Sequence, residues 1–315
     1  MTECERIIEQ GVLPVSFFVE EVRCDFLVTR DRKKIWAVEI ELLLKLLEIC
    51  RKYNLTIWGD GGTLLGAIRH DGFIPWDDDL DVIMPRKDFN MLMKIAEKEF
   101  AAPFFFQTSH TDPNFGYSFA RLRNSNTTGM PKLLAKAGYN HGIYIDIFPL
   151  DEISLENFED DKKRITECIM KNSSYMKRNS VSLLNERQLE NFHKYWTDNP
   201  SLEFDKIQEI ASNPNYIGSD YVANAVTPIK KSENQIWKKE WFDNTLKHKF
   251  EVVDLPIPQG FDMLLTTIYG NYMEYPPTNQ RGNWHPDFIW EPDKPYNVLL
   301  REKNNCSDFC TVQNC

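Results

Sequence analysis

The stretch from Trp58 to Pro85, WGDGGTLLGAIRHDGFIPWDDDLDVIMP, joins a glycine-rich turn to a run of aspartates that leads into apolar residues. The apolar run predicts a buried strand over residues 79–84. Because side chains on a strand repeat every two residues, Asp77, Asp79 and Asp81 are expected to share one face. Neighbouring carboxylates raise one another's pKa and repel unless a cation lies between them. A hard divalent ion meets that need, with Mg²⁺ expected first and Mn²⁺ as the alternative.

The turn of small residues before the aspartates limits the classes of reaction that this region could catalyse. Gly61 and Gly62 permit backbone conformations that other residues resist, and Thr63 suits the N-cap of a short helix over residues 64–69. A glycine turn that opens a helix can hold a phosphate on its free backbone N–H groups. The string GDGGTLLG is neither a P-loop nor a dinucleotide fingerprint, and the chain has no HExxH or G-x-S-x-G motif. A phosphate held beside a metal ion favours phosphoryl or nucleotidyl transfer.

One further aspartate lies in a strand-like apolar string. Asp146 stands in the middle of GIYIDIFPL. A lone buried carboxylate is costly, and a metal ion shared with Asp79 and Asp81 would remove that cost. Asp146 is therefore a candidate third metal ligand and a candidate base for the proton of an acceptor hydroxyl. The structural alternative is a turn cap, or an ion pair with Arg121 or Arg123.

The wider pattern mixes helices and strands in the first half of the chain and becomes mainly helical over residues 155–211. Residues 35–53 predict a helix with one buried face, and residues 86–100 and 260–269 predict two more. Strands are predicted at residues 55–58, 104–107, 117–122, 143–148 and 245–253. We expect an α+β fold in five segments: an N-terminal segment (1–34), a catalytic core (35–153), a helical region (154–240), a strand–helix segment that completes the fold (241–290) and a tail (291–315).

Charge and composition argue against several classes of partner. The formal net charge of −10, without a long Lys/Arg block, disfavours nucleic-acid binding. The sequence contains neither a membrane-spanning run nor a secretion signal at its start, so we expect a cytoplasmic protein, with contact at the inner face of the membrane left open. Cys306, Cys310 and Cys315 could serve as zinc ligands, but a frayed or reactive tail is the preferred interpretation.

The string DGGTLLGAIRHDGFIPWDDDLDV resembles the signature of the LicD family of phosphotransferases, whose animal relatives include fukutin and fukutin-related protein. The likeness continues in residues 250–277 and covers roughly residues 35–286. It implies a nucleotidyltransferase-like mixed sheet flanked by helices, with a largely helical insertion. It also assigns roles by position: a glycine turn at Gly61, Gly62 and Thr63, metal-binding aspartates at Asp79 and Asp81 with Asp77 as a helper, and a third acid at Asp146.

The resemblance further implies a reaction. A CDP-alcohol, CDP-choline first, would pass its phospho-alcohol to a sugar hydroxyl of a glycan or glycolipid precursor, such as one for lipopolysaccharide or teichoic acid, and release CMP. Two other classes stay open. A small-molecule nucleotidyltransferase would use the same carboxylates on an NTP and release diphosphate, and a non-catalytic binding module would not depend on the aspartates.

Several other residues have both a functional and a structural interpretation. Arg69 and His70 could reach the diphosphate of the donor or serve as a salt-bridge strut, and Arg121 is similar. His285, a lone histidine in an irregular segment, is expected to be structural or exposed. Aromatic residues could cage a choline ammonium or simply fill the core. The candidates for that cage are Trp58, Trp76, Trp284 and Trp290.

Overall fold

A computed structural model describes residues 1–228, 235–282 and 285–305 of the chain. Nine α-helices lie within these ranges. They are α1 (Glu3–Glu9), α2 (Arg30–Tyr53), α3 (Gly61–His70), α4 (Arg86–Glu99), α5 (Phe158–Met176), α6 (Glu186–Lys194), α7 (Pro200–Ala211), α8 (Phe261–Tyr269) and α9 (Tyr296–Asn305). Helices α5 to α7 confirm the mainly helical character predicted for the centre of the chain.

Thirteen β-strands lie in the same part of the chain, most of them short. They are β1 (Glu21–Arg23), β2 (Phe26–Val28), β3 (Trp58–Gly59), β4 (Asp81–Pro85), β5 (Phe104–Gln107), β6 (Ala120–Asn124), β7 (Thr128–Pro131), β8 (Ile143–Glu152), β9 (Tyr221–Ala223), β10 (Trp237–Lys238), β11 (Thr245–Phe250), β12 (Val253–Pro258) and β13 (Phe288–Glu291).

Strand β8 is the axis of the main sheet. It pairs with β4 in parallel on one side and with β6 in antiparallel on the other, and its C-terminal end also pairs with β9. Strand β3 extends the sheet beyond β4, β5 beyond β6, and β10 beyond β9. The sheet is therefore mixed and helices accompany it, so the α+β prediction is confirmed.

Helix α2 is buried more deeply than its sequence predicts. The pattern indicated one buried face, but Glu39 and Glu41, which it placed between the apolar positions, are buried as well. The helix begins at Arg30 rather than at Ile35 because the side chain of Thr29 caps its N-terminus. Its C-terminal end agrees with the prediction. Because α2 is enclosed along most of its length, its polar side chains must find partners inside the protein.

The start of strand β4 differs from the prediction. The strand begins at Asp81, so Asp77 and Asp79 lie in the irregular segment before it. The backbone carbonyl of Asp77 accepts a hydrogen bond from Trp36 Nε1 at 3.0 Å, and Arg32 Nη1 donates to the same oxygen. Since α2 takes this carbonyl, the segment does not join the sheet there. The prediction that three carboxylates share one strand face is therefore wrong.

Helix α3 also begins earlier than predicted. Its first residue is Gly61 and Asp60 stands at the N-cap position, so the prediction of Thr63 as the N-cap is wrong. Thr63 lies in the first turn instead, and its Oγ1 accepts a hydrogen bond from the backbone N–H of Asp81 at 2.8 Å. This contact joins the start of α3 to the start of β4.

The C-terminal part of the fold contains a hairpin where the sequence predicted one strand. Strands β11 and β12 pair in antiparallel, and the turn between them contains Glu251 in the left-handed region, with φ of +53°. Glu251 and Val252 form this turn, so the stretch predicted as one strand ends at Phe250 and a second strand begins at Val253. The helix predicted after the hairpin is confirmed by α8, and α8 contributes Leu264 and Leu265 to the same core as α1 and the main sheet.

Candidate active site

Three charged residues lie side by side on neighbouring strands at one edge of the site. Asp81 on β4 is in register with Asp146 on β8, and Asp146 is in register with Arg121 on β6. Arg121 Nε contacts Asp146 Oδ1 at 2.6 Å, and Arg121 Nη2 contacts Asp146 Oδ2 at 3.3 Å. The structural alternative for Asp146, an ion pair with Arg121, is thus present. The sheet also brings Asp146 beside Asp81, as its proposed role as third acid requires.

The segment before β4 supplies the other edge of the site. Its backbone is held by α2 at the carbonyl of Asp77, and the carboxyl groups of Asp77 and Asp79 hydrogen-bond to each other. Burial raises the pKa of Asp77 well above its usual range, and the neighbouring charge of Asp79 adds to that effect. The segment therefore places two carboxyl groups in contact with each other.

His285 belongs to this cluster, contrary to the sequence expectation. Its Nδ1 lies 2.7 Å from Asp78 Oδ1, and its Nε2 lies 3.9 Å from Asp79 Oδ2. Burial opposes protonation of the ring, but the hydrogen bond to Asp78 and the charges of Asp79 and Asp78 outweigh it, so the pKa of His285 is raised. The expectation of an exposed or merely structural histidine overlooked this contact because 207 positions separate the two residues.

The N-terminus of α3 closes the site from a third direction. Gly61 has φ of +49°, a conformation that favours glycine, and a Cβ there would lie 3.8 Å from Asp81 Oδ2 and from the hydroxyl of Tyr269. A Cβ on Gly62 would lie 2.9 Å from Asp77 Oδ2. The missing side chain at Gly62 therefore leaves room for the carboxyl group of Asp77, whereas Gly61 is favoured by its backbone conformation. The sequence had indicated the glycines but not Tyr269.

Two more acids differ from ordinary surface carboxylates. Burial raises the pKa of Asp60 to about 6, although hydrogen bonds from Gly61 and Asn224 oppose the shift. Burial also raises the pKa of Asp81 well above its usual range, and the charges of Asp79 and Asp146 act in the same direction. In the absence of a bound cation, the cluster therefore retains protons at pH values where isolated aspartates are ionised.

Glu39 is another residue near the aspartates that the sequence did not reveal. It is fully buried on α2, and neither of its carboxyl oxygens has a hydrogen-bond partner among the residues that the structure describes. The charges of Asp79, Asp78 and Asp77 all act on it. In the sequence Glu39 looks like a polar residue on an amphipathic helix, so only its three-dimensional surroundings show its relation to the aspartates.

Comparison with known proteins identifies the domain that contains the aspartates and the glycine turn. The family described as "LicD/FKTN/FKRP, nucleotidyltransferase domain" matches residues 54–202, just under half of the chain. The chain carries a LicD-family domain. A relative from Haemophilus influenzae, named lipopolysaccharide cholinephosphotransferase LicD, is 24% identical over 247 residues, which cover 75% of this chain and 89% of that protein. The recognition made from the aspartate motif is thereby confirmed.

Two shorter matches are more similar but cover little. An uncharacterised protein of Rickettsia prowazekii is 48% identical over 48 residues, and one of Rickettsia typhi is 51% identical over 41 residues. These regions span 15% and 13% of this chain, and 18% and 13% of the relatives. These matches establish a local similarity, and the names of the two relatives state no activity. The likeness to a named phosphotransferase supports a transferase.

The carboxylates of the LicD domain offer oxygen donors for a metal ion, but most of them already contact other side chains. Across the described ranges, no three His, Cys, Asp or Glu side chains are arranged as ligands of one ion. Asp77 and Asp79 bond to each other, and Asp146 faces Arg121. The oxygen donors are nevertheless of the kind that Mg²⁺ takes, and the carboxyl oxygens of Glu39 have no hydrogen-bond partner among the described residues. The donor types therefore suit a hard divalent ion, although the described side chains are not arranged around a single point.

Arg69 and His70 lie at the opposite end of α3 from the glycines. Arg69 Nη1 donates to the carbonyl oxygens of Tyr272 and Glu274 at 2.8 and 3.1 Å, and its Nε contacts His70. His70 stacks on Tyr275 with ring centroids 5.4 Å apart. Through these contacts Arg69 joins the end of α3 to the segment after α8, which agrees with the structural alternative considered for Arg69.

Of the four tryptophans considered as a choline cage, the three that the structure describes do not assemble into one. Trp58 is buried and its Nε1 donates to Thr245, and Trp76 is covered by the guanidinium of Arg281 at 5.1 Å. Trp290 packs beside Phe288, away from both. Trp284 lies outside the described residues, as do the three cysteines of the tail. None of the helices in the described part of the chain is long and apolar enough to cross a membrane.

Proposed function

We propose that this protein transfers a phospho-alcohol, phosphocholine first, from a CDP-alcohol to a sugar hydroxyl and releases CMP. One observation carries the proposal: Asp81 and Asp146 stand in register on adjacent strands, beside the glycine N-terminus of α3, in a LicD-family domain. The name of the Haemophilus influenzae relative supports phosphocholine as the group and lipopolysaccharide as the kind of acceptor.

The proposal includes a divalent cation, Mg²⁺ first. Asp79, Asp81 and Asp146 would hold it, with Asp77 as a helper. When bound, such an ion neutralises charge that develops on the phosphate oxygens as the bond to the leaving group breaks. It would also supply the positive charge that the buried carboxylates lack, since burial and mutual repulsion now raise the pKa of Asp77 and Asp81.

The residues of the chain would position the reactants. The backbone N–H groups at Gly61 and Gly62 would bind the donor phosphates at the start of α3. The acceptor hydroxyl would attack the distal phosphorus in line with the leaving CMP. One P–O bond forms to the sugar oxygen, the P–O bond to CMP breaks, and the hydroxyl proton passes to the carboxylate of Asp146. The ion pair with Arg121 would fix the orientation of that carboxylate during the step.

Aromatic rings near Asp146 favour choline among the alcohols. Tyr144 lies two residues before Asp146 on β8, and its ring centroid is 6.4 Å from those of Phe288 and Trp290. The guanidinium of Arg121 already lies over the Tyr144 ring at 3.7 Å, and Phe288 and Trp290 stack on each other at 5.1 Å. A quaternary ammonium would therefore bind over the outer ring face of Trp290 or Phe288. We therefore expect Trp290→Leu to raise the KM for CDP-choline about tenfold while leaving the KM for CDP-glycerol unchanged, as measured by initial rates.

The acceptor would be a glycan or glycolipid precursor, so we place the reaction in the cytoplasm, at the inner face of the membrane when the precursor is lipid-linked. A cell fractionation experiment tests this location. The protein should appear in the cytoplasmic fraction or be released from membranes by salt. Release by detergent alone would contradict peripheral contact.

The decisive experiment identifies the donor and the product. The purified protein is incubated with Mg²⁺ and, separately, with CDP-choline, CDP-ethanolamine, CDP-glycerol, CDP-ribitol, ATP and CTP, and CMP and diphosphate are measured. The proposal expects CMP from CDP-choline, by transfer to an added sugar acceptor or slowly to water. Asp81→Asn should abolish the signal, and Asp160→Asn, which changes an exposed aspartate on α5, should retain it.

Other outcomes of this experiment would change the assignment. Diphosphate released from ATP or CTP would establish nucleotidyl transfer to a small molecule instead. Equal release of CMP by the unmodified protein and by Asp81→Asn would show that turnover does not depend on Asp81 and would contradict the proposed site. Release of CMP from another CDP-alcohol alone would keep the reaction and correct the alcohol.

A further inference from the structure

The carboxyl group of Glu39 has no protein partner that explains its burial. Glu39 lies in the middle of α2 and has no exposed surface. Neither Oε1 nor Oε2 accepts a hydrogen bond from the described part of the chain. Burying a carboxyl group without compensating hydrogen bonds is strongly unfavourable. An apolar side chain of similar size would suit a purely structural position better.

The surroundings of Glu39 connect it with the aspartate segment. Arg32, Trp36 and Glu39 are spaced by four and three residues, so they lie on one face of α2. The first two donate to the carbonyl of Asp77, so this face is turned toward the segment before β4. The electrostatic field at Glu39 comes from Asp79 first, and then from Asp78, Asp77 and Asp81.

A second glutamate on the same helix shows the contrast. Glu41 is also buried, but Arg6 Nη2 contacts its Oε2 at 2.6 Å and Asn124 donates to it at 3.4 Å. The fold therefore does provide a cation where it buries a carboxylate for structural reasons. At Glu39 the charged groups that act on it include four aspartates and Arg32, whose guanidinium donates to the carbonyl of Asp77.

We propose that Glu39 is a positioning residue for the divalent cation, which it attracts and orders from behind the aspartates. The inference rests on the proposed function, because it needs a cation at Asp79 and Asp81. Mg²⁺ keeps several of its waters when it binds to proteins, and carboxylates outside the direct ligand set hold such waters and ligands in place. Burial, and then the charges of the aspartates, raise the pKa of Glu39 well above its usual range. A cation at Asp79 and Asp81 would favour the ionised carboxylate, whose charge would in turn strengthen attraction for the ion at short range.

Direct titration of the full chain with MgCl₂ by isothermal calorimetry tests this role without relying on turnover. We expect Glu39→Gln, which removes the charge but keeps the size, to weaken Mg²⁺ binding by about ten- to a hundredfold. Glu39→Asp, which keeps the charge, should recover part of the affinity. Glu41→Gln is the matched control on the same helix and should bind Mg²⁺ as the unmodified protein does.

Urea unfolding in EDTA separates the proposed role of Glu39 from a structural one. The proposal expects Glu39→Gln to be at least as stable as the unmodified protein, because an unpaired buried carboxyl group is lost, whereas a structural role expects it to be less stable. Equal Mg²⁺ affinity in the unmodified protein and Glu39→Gln, with Asp81→Asn unable to bind, would overturn the role of Glu39 and leave the proposed function intact. Failure of the unmodified protein to bind Mg²⁺ would overturn the cation itself, and this inference with it. If Glu39→Gln does not fold, Glu39→Leu, which also removes the carboxyl group, is titrated in its place, and an Mg²⁺ affinity equal to that of the unmodified protein overturns the role of Glu39 as well.

Discussion

Helix α3 has two ends with opposite chemistry. Its N-terminus, at Gly61 and Gly62, adjoins a cluster of carboxyl groups, whereas its C-terminus, at Arg69 and His70, adjoins cations and aromatic rings about 15 Å away along the helix. At the carboxylate end, burial and repulsion raise pKa values. At the basic end, the guanidinium of Arg69 donates to two backbone carbonyls and stacks over Tyr275 at 5.3 Å.

This difference distinguishes a candidate active site, at the N-terminus of α3, from a structural contact, at its C-terminus. The basic end satisfies its charged groups with atoms of the chain itself, so it needs no ligand to be stable. The carboxylate end gathers Asp77, Asp79 and Asp81, and His285 lies beside them with its main contact to Asp78. Because buried charges require pairing, we expect a charged ligand to bind at this end of the helix.

Replacement of a cluster carboxylate should give the largest effect on turnover. We expect Asp81→Asn to lower kcat by about 10³-fold, equivalent to about 4 kcal/mol, because a ligand to the cation is lost. The same change should leave the free energy of unfolding in EDTA unchanged or higher, because it removes a repelling buried carboxylate whose pKa is raised. Initial rates and urea unfolding measure the two quantities.

This pair of measurements tests the comparison directly. If Asp81→Asn lost both turnover and folding, the carboxylate end would be a structural cluster like the basic end. Asp88→Asn provides a demanding control, because Asp88 is buried outside the site and its Oδ2 accepts a hydrogen bond from the backbone N–H of Thr56 at 3.0 Å. That variant should lose stability and keep its kcat.

The two ends should also respond to pH with opposite sign. Asp60 has a folded pKa of about 6 against 3.8, so the stability it contributes is complete below pH 3.8 and is lost as pH rises through 6. His70 has a folded pKa of about 4 against 6.5, because burial and then Arg69 lower it, so its contribution is present above pH 6.5 and is lost as pH falls through 4. Each effect is limited to about 3 kcal/mol, and it is smaller for the partly exposed His70.

Unfolding in EDTA between pH 4 and pH 7.5 measures these contributions as differences from variants. The stability of the unmodified protein relative to Asp60→Asn should decrease as pH rises. Its stability relative to His70→Phe, which retains a ring to stack on Tyr275, should decrease as pH falls. Parallel curves for either variant would show that the group titrates alike in the folded and unfolded chain, and the contrast between the ends would then be lost.

A substitution at the basic end should affect stability more than catalysis. Arg69→Met removes two hydrogen bonds to the carbonyls of Tyr272 and Glu274, so the free energy of unfolding should fall by about 2 kcal/mol. The KM for the donor should change less than about threefold. A tenfold rise in KM with unchanged stability would instead favour the sequence prediction that Arg69 binds the diphosphate.

Local patterns in the sequence predicted the elements better than the contacts of the site. The apolar periodicity located α2, α4 and β5, because these signals lie within a few residues of one another. The aspartate motif indicated where the carboxylates gather. His285 and Glu39 were missed because their relation to the aspartates depends on the packing of distant segments, and an apolar-polar pattern does not show which glutamate is enclosed. Donor identity likewise depends on contacts that no local pattern encodes.

The smallest expected effect concerns the contact that couples the glycine turn to the aspartate strand. Thr63 Oγ1 accepts a hydrogen bond from the backbone N–H of Asp81 at 2.8 Å, and Thr63 is buried. Thr63→Val keeps the shape of the side chain but leaves that N–H without its partner, so the free energy of unfolding should fall by about 1 to 2 kcal/mol. Thr63→Ser should retain most of this stability. Since the contact fixes the position of Asp81, Thr63→Val should also weaken Mg²⁺ binding severalfold, and unchanged affinity would mean that β4 alone positions this carboxylate.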